Sequence, residues 1–208
     1  MTEAAHGTSV LLFLDMVDGK FSKFAKDFGN FVLTAMPQRT FGGVESVYQH
    51  HLYVHFSSAE SAPKNSKWQT MMEVTAGDGR SNIIIHDDKK GAILKLKRYE
   101  HKKKAGYREK EESLLSKGTN EALDHRDTRH YGAVMPEGVT TTCEYGISFL
   151  GPYCGVEARM LNRVHGEWVT QTEYSADDDE NRRKVAYKSM GLERKTRDEE
   201  EYEGSANN

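Results

Sequence analysis

No hydrophobic run in this sequence is long enough to cross a membrane: the longest apolar stretch, residues 10–14, falls far short of the roughly 18 residues that a spanning helix needs. The basic start and small-residue cleavage site of a secretory signal are missing too, so the chain is expected to be intracellular, nuclear or cytoplasmic. Cysteine is scarce. Cys143 and Cys154 cannot make a disulfide framework or a four-ligand zinc site by themselves, and packing on neighbouring strands is their expected role. Neither charge dominates: 29 Lys and Arg stand against 32 Asp and Glu, a formal net charge of -3. With a pI near 6.3, a uniformly basic nucleic-acid coat is excluded, and any basic surface must be local. The glycine-rich loop ending in Gly-Lys-Ser/Thr is absent, because Ala76-Gly77-Asp78-Gly79-Arg80 lacks its spacing, so ATP hydrolysis is not expected. Gly77 and Gly79 read instead as a sharp turn between two strands. Without a Gly-x-Ser-x-Gly elbow or a cysteine-protease signature, acyl-transfer chemistry has no support either.

What remains is 208 residues, 37% hydrophobic, 29% charged and 10% aromatic, enough for one domain with tails. A short apolar element, Val10 to Val17, has no obvious partner nearby and is expected to be the remnant of a preceding segment. From residue 18 the periodicity is clearer. Phe21, Phe24, Ala25, Phe28, Phe31, Val32, Ala35 and Met36 recur at spacings of three and four, which predicts a helix closed by Pro37. Val44, Val47, Tyr48, Leu52 and Phe56 predict a second. Residues 68–75, 82–86 and 91–98 then read as three successive strands, the second carrying Ile83, Ile84 and Ile85 and therefore expected to be covered on both faces. A polar helix over 108–131 follows, and two strands, 140–150 and 153–161, are joined at Gly151-Pro152. Residues 166–208 are expected to be a charged, disordered tail, ending in acidic and mixed-charge blocks.

Two groups invite a chemical reading. Nine histidines include His51 and His55 at i and i+4, able to face one ion, yet no Glu-x-x-His accompanies them and a half-buried packing role is favoured over metal binding. The third strand, Ile93-Leu94-Lys95-Leu96-Lys97, alternates so that Lys95 and Lys97 share one face. Around it lie Lys89, Lys90, Arg98, Lys102, Lys103, Lys104, Arg108 and Lys110. This locally basic window suits phosphate contact, or equally a solvated edge strand that lysines protect from pairing.

The order helix, three strands, helix, two strands, with Gly77-Asp78-Gly79-Arg80 before the second strand and Lys95-Leu96-Lys97 on the third, resembles the PD-(D/E)XK nuclease superfamily. More narrowly it is similar to the nuclease-like region that follows an AAA-ATPase-like domain in proteins common in fungi and bacteria. Phe28-Gly29-Asn30-Phe31-Val32-Leu33, Val44-Glu45-Ser46-Val47-Tyr48, Ala122-Leu123 through Tyr131, and Glu144 to Leu150 carry the rest of the likeness, which spans residues 10 to 161. The resemblance implies an α/β fold with a restriction-endonuclease-like core, a mixed central sheet flanked by helices. It also implies a site in which carboxylates on the second and third strands hold magnesium, and a lysine orients water or stabilises charge. Those positions fall on Asn82, Lys95, Lys97 and, for a helix glutamine, His125, with Tyr131 kept. An amide and a second lysine in place of carboxylates remove the reason for a divalent cation to bind.

The expected function is accordingly a catalytically degenerate nuclease-like domain over 18–165, with no metal and no cofactor, that keeps weak nucleic-acid affinity through Lys95, Lys97, Arg98, Lys102, Lys103 and Lys104. Two alternatives stand beside it. One is an active magnesium-dependent nuclease rebuilt on Glu45, Glu73, Asp78 or Asp87. The other is a protein-interaction module, its partner unknown, using the acidic tail and the apolar Val10 to Val17 segment.

Overall fold

Ten elements follow one another in the computed structural model, which describes residues 3–36, 44–60, 68–74, 81–99, 108–123, 135–151 and 153–174. They are α1 (Glu3–Val17), α2 (Phe21–Ala35), α3 (Glu45–Glu60), β1 (Gln69–Val74), β2 (Ser81–His86), β3 (Lys90–Tyr99), α4 (Arg108–Leu123), β4 (Thr141–Leu150), β5 (Tyr153–Val164) and β6 (Glu167–Tyr174). The strands form one mixed six-stranded sheet in the order β1-β2-β3-β4-β5-β6. Every neighbouring pair is antiparallel except β3 and β4, which run parallel. The class is α/β, with helices on both faces. No described helix is long and apolar enough to cross a membrane.

The parallel step follows from α4, since a parallel neighbour needs a crossover connection and a helix is its usual form. The antiparallel steps are tight. His86 stands opposite Gly91, and Asp87 Oδ1 accepts hydrogen bonds from the amides of Lys89 and Lys90 at 2.7 and 2.6 Å, closing the turn with a side chain. Leu150 stands opposite Tyr153, leaving a two-residue loop in which Gly151 takes φ +61°, a left-handed conformation that glycine adopts without strain.

The main core lies between one face of the sheet and α1, α2 and α3. The aromatic stripe of α2 supplies Phe21, Phe24, Phe28 and Phe31, and α3 supplies Tyr48, Leu52 and Phe56. They meet Ile83, Ile85, Leu94, Leu96, Tyr145, Ile147 and Phe149 from the strands. Met36 ends α2 in extended backbone, ψ 133°, the conformation that a following proline favours. Val44 is exposed, so the buried stripe of α3 starts at Tyr48 and runs through Leu52, Phe56 and Ala59. On the other face a smaller apolar cluster joins Ile84, Ile93, Met135 and Val139, so the Ile83-Ile84-Ile85 run is covered on both sides.

Several expectations are corrected here. The Val10 to Val17 segment is not an unpartnered remnant: it is the second half of α1, and Leu12, Phe13, Met16 and Val17 are buried in the main core. The ring of Phe13 meets those of Phe56 and Trp68 at 6.4 and 5.5 Å, and the Tyr145 hydroxyl donates to the Met16 carbonyl at 2.7 Å. The stripe lacked a visible partner because its partners are distant in sequence. Residues 167–174, assigned to the tail, form β6 on the outer edge of β5. Polar residues hid that strand, since most of its side chains face water. Finally, β3 is no solvated edge strand; it pairs with β2 on one side and β4 on the other. The helix predicted over 108–131 is described to Leu123. Residues 124–134, the turn 75–80 and the tail from 175 lie outside the described residues.

Candidate functional site

Alternation on β3 decides what its lysines touch. Leu94 and Leu96 enter the main core, so Lys95 and Lys97 face the side of the sheet on which α4 packs. The register extends Lys95 into a row: Glu73 opposite Asn82, Asn82 opposite Lys95, Lys95 opposite Gly146, Gly146 opposite Glu157. The next row runs Ile93, Glu144, Arg159. Three inherited or candidate positions on separate strands, Glu73, Asn82 and Lys95, therefore lie side by side.

Chemically this place is not a metal cradle. Lys95 is 2% exposed and Glu144 0%, and the Lys95 Nζ lies 4.0 Å from Glu144 Oε1. The other carboxylate oxygen, Oε2, accepts a charge-assisted hydrogen bond from Arg159 Nε at 2.6 Å, and Arg159 Nη2 lies 2.5 Å from the same oxygen. Glu157 is buried on the same face. Among the described residues two buried cations and two buried carboxylates thus share this face, and buried charges persist where they are compensated. A divalent ion would have to enter beside two buried cations and compete with them for Glu144. The described side chains of this face do not fit magnesium.

Helix α4 seals the arrangement. Gly146 makes room for it: a Cβ there would lie 2.5 Å from the Thr119 carbonyl oxygen and 2.7 Å from Leu123. One turn earlier, Ser148 Oγ donates to the Leu115 carbonyl at 2.6 Å. The neighbouring Tyr99 hydroxyl donates to Glu121 at 2.9 Å. Burial first, and then that carboxylate, push the Tyr99 pKa up to about 12.

The other predicted residues are scattered. Asp87 is at the opposite end of β2, occupied with its turn. Glu45 opens α3, whose buried residues lie in the core on the other face. Lys97 and Arg98 are half-buried at the end of β3, on opposite faces by alternation. Lys89 and Lys90 are exposed at its start, where Lys90 Nζ is held 3.0 Å from Asp18. The basic window is thus divided between the two ends of a strand, with Lys95 sealed between them. Asp78, His125, Tyr131, Lys102, Lys103 and Lys104 lie outside the described residues.

Sequence reasoning passed over Glu144 and Arg159 as site residues. The available signal was charge inside otherwise apolar strand segments, Glu144 in Thr142-Cys143-Glu144-Tyr145 and Glu157 with Arg159 in Val156 to Leu161. The histidine pair sits where packing dictates: the His55 ring meets Phe31 edge-on at 4.8 Å, and burial pushes its pKa down. Both cysteines are free, on the adjacent strands β4 and β5.

Comparison with known proteins finds no family model, no curated protein and no solved structure that matches the chain.

Proposed function

We propose that this chain is a catalytically inactive, nuclease-like domain that acts by binding rather than by hydrolysis, with a weak, sequence-independent contact to nucleic acid. The observation that carries the reading is Lys95. The position where the resembling family places a carboxylate ligand holds an ammonium group sealed beside Glu144. The element order supports the fold half of the reading: a helix, three antiparallel strands, a helix on the opposite face, and a fourth strand parallel to the third. A restriction-endonuclease-like core belongs to this proposal.

Among the described residues the contact with nucleic acid then falls to Lys97 and Arg98, half-buried at the end of β3 from which the chain runs on to Lys102, Lys103 and Lys104. Among the described residues no carboxylate pairs with either. Lys95 contributes nothing to it, because a buried ammonium cannot release counterions from a phosphate backbone. The interaction-module alternative loses one of its two surfaces, the Val10 to Val17 segment being buried. The rebuilt nuclease gains nothing from Glu144, whose Oε2 accepts from Arg159 and whose Oε1 lies 4.0 Å from the Lys95 ammonium.

Fluorescence anisotropy with duplex and single-stranded DNA, at low and moderate salt and with chelator present, tests this. Micromolar or weaker retention that falls steeply with salt is expected, and Lys97→Glu with Arg98→Glu should abolish it. Absence of binding at low salt would overturn the nucleic-acid role in favour of protein interaction. Magnesium-dependent nicking that disappears in Glu73→Gln would overturn inactivity.

A further inference from the structure

We infer that residues 135–139 form a strap that opens as a unit from an otherwise intact sheet, and that the Arg163 guanidinium is the latch that holds it shut. The inference stands apart from the nucleic-acid reading, since none of these residues belongs to that contact.

A turn builds the latch. His165 and Gly166 take φ +53° and +87°, the two left-handed residues that a type I′ hairpin needs, and this short loop sets Val164 opposite Glu167 and Arg163 opposite Trp168. Opposite residues of antiparallel strands share a face, and Arg163 Cζ lies 4.7 Å from the centre of the Trp168 ring. From there Nη1 donates to the Glu137 carbonyl at 2.8 Å and the Pro136 carbonyl at 3.3 Å, and Nη2 donates to that of Met135 at 3.5 Å. Three successive strap carbonyls are held by one side chain of β5, so releasing them breaks no bond of the strand ladder.

Underneath, Met135 and Val139 are buried against Ile84 and Ile93, and Met135 lies over Gly91, where a Cβ would come within 2.8 Å of its sulfur. Between these anchors Pro136, Glu137 and Gly138 are exposed. The Val139 amide donates back to the Pro136 carbonyl at 3.0 Å, so the strap carries its own turn. One end is fixed by backbone: the Thr140 amide donates to the Lys89 carbonyl, and the Thr140 carbonyl accepts from the Arg163 amide, both at 2.8 Å. A segment whose middle faces water, seated by two side chains and a latch, opens at a lower free-energy cost than the ladder beneath it. Opening uncovers Ile84 and Ile93, an apolar strip whose row continues to Glu144 and Arg159.

Met135→Cys puts a thiol under the strap, and its alkylation rate, read by peptide mass, measures opening; Cys143, a buried free thiol on β4, reports opening of the sheet itself. Arg163→Lys keeps charge and stem but replaces a planar fork by a point charge. Added to Met135→Cys, it should speed alkylation at position 135 by about tenfold or more, with Cys143 unchanged, and Trp168→Leu should give a smaller rise. Gly138→Ala, whose Cβ would lie 2.8 Å from the Asp88 carbonyl oxygen, lifts the strap without touching Arg163 and should also speed alkylation. Hydrogen exchange on Arg163→Lys with Met135 retained should show lost protection at the Val139 amide, which covers the case in which the cysteine itself loosens the strap. Alkylation and exchange both at wild-type rates in Arg163→Lys would overturn the latch. Acceleration at Cys143 in step with position 135 would show opening of the whole sheet and overturn the strap as a unit.

Discussion

Asp15 shows how little of a residue's role its type discloses. It sits near the C-terminus of α1, 5% exposed, and is hydrogen-bonded by Lys23 and Lys20. Burial raises its pKa, but those two lysines outweigh burial and hold it below the ordinary carboxylate value. A depressed carboxyl pKa adds stability that is present above the unfolded-state value of about 4 and is lost as pH falls through the folded-state value. Asp15→Asn should therefore be less stable than wild type at pH 7, by urea denaturation, and the gap should close as pH falls through the folded-state value. Gly146 is a second such residue. Its hydrogen fills a place where a methyl group would strike the Thr119 carbonyl, backbone that cannot rotate away. Gly146→Ala should cost about 1–3 kcal/mol in urea denaturation, more than the same change at Gly29, where a Cβ would meet nothing within 4 Å.

At the scale of elements, α1 is the clearest case of a segment whose meaning depends on distant partners. Its apolar residues are contiguous enough to be noticed, yet Phe56, Trp68 and Tyr145, which it meets, lie far along the chain. Phe13 is fully buried, and Phe13→Ala should cost about 3–5 kcal/mol, read as a lower urea midpoint with an unchanged slope. A free-standing remnant would show no such loss. The strand β6 illustrates the opposite limit. Its side chains are mostly exposed, so neither alternation nor an apolar run marks it, and only pairing with β5 makes it a strand. The Phe stripe of α2 and the Ile run of β2 were legible because each buries a face by itself, at the period its own backbone imposes.

For the whole molecule, the charge arrangement beneath α4 bears on whether a divalent ion can bind beside Lys95. Isothermal titration with magnesium or manganese should show no one-to-one site dependent on Asn82 or Lys95. Replacing both, Asn82→Asp with Lys95→Glu, should create weak binding, since Glu144 then gains acidic neighbours and loses its ammonium partner. Nicking activity is not expected to return with it, because catalytic carboxylates need placement within about 0.5 Å.

The sequence by itself determined the α/β class, the helix and strand order from residue 21 to 161, and the common face of Lys95 and Lys97. All of these follow from local period, turn chemistry or residue identity. Tertiary structure decided the rest. It placed β3 in the middle of the sheet, drew α1 into the core and added β6 at the edge. It also turned Lys95 from a candidate phosphate contact into a buried neighbour of Glu144, the carboxylate that Arg159 holds. The physical reason is the same throughout: burial and charge compensation are properties of neighbours on other strands, and one chain segment cannot state which neighbours the fold will bring to it.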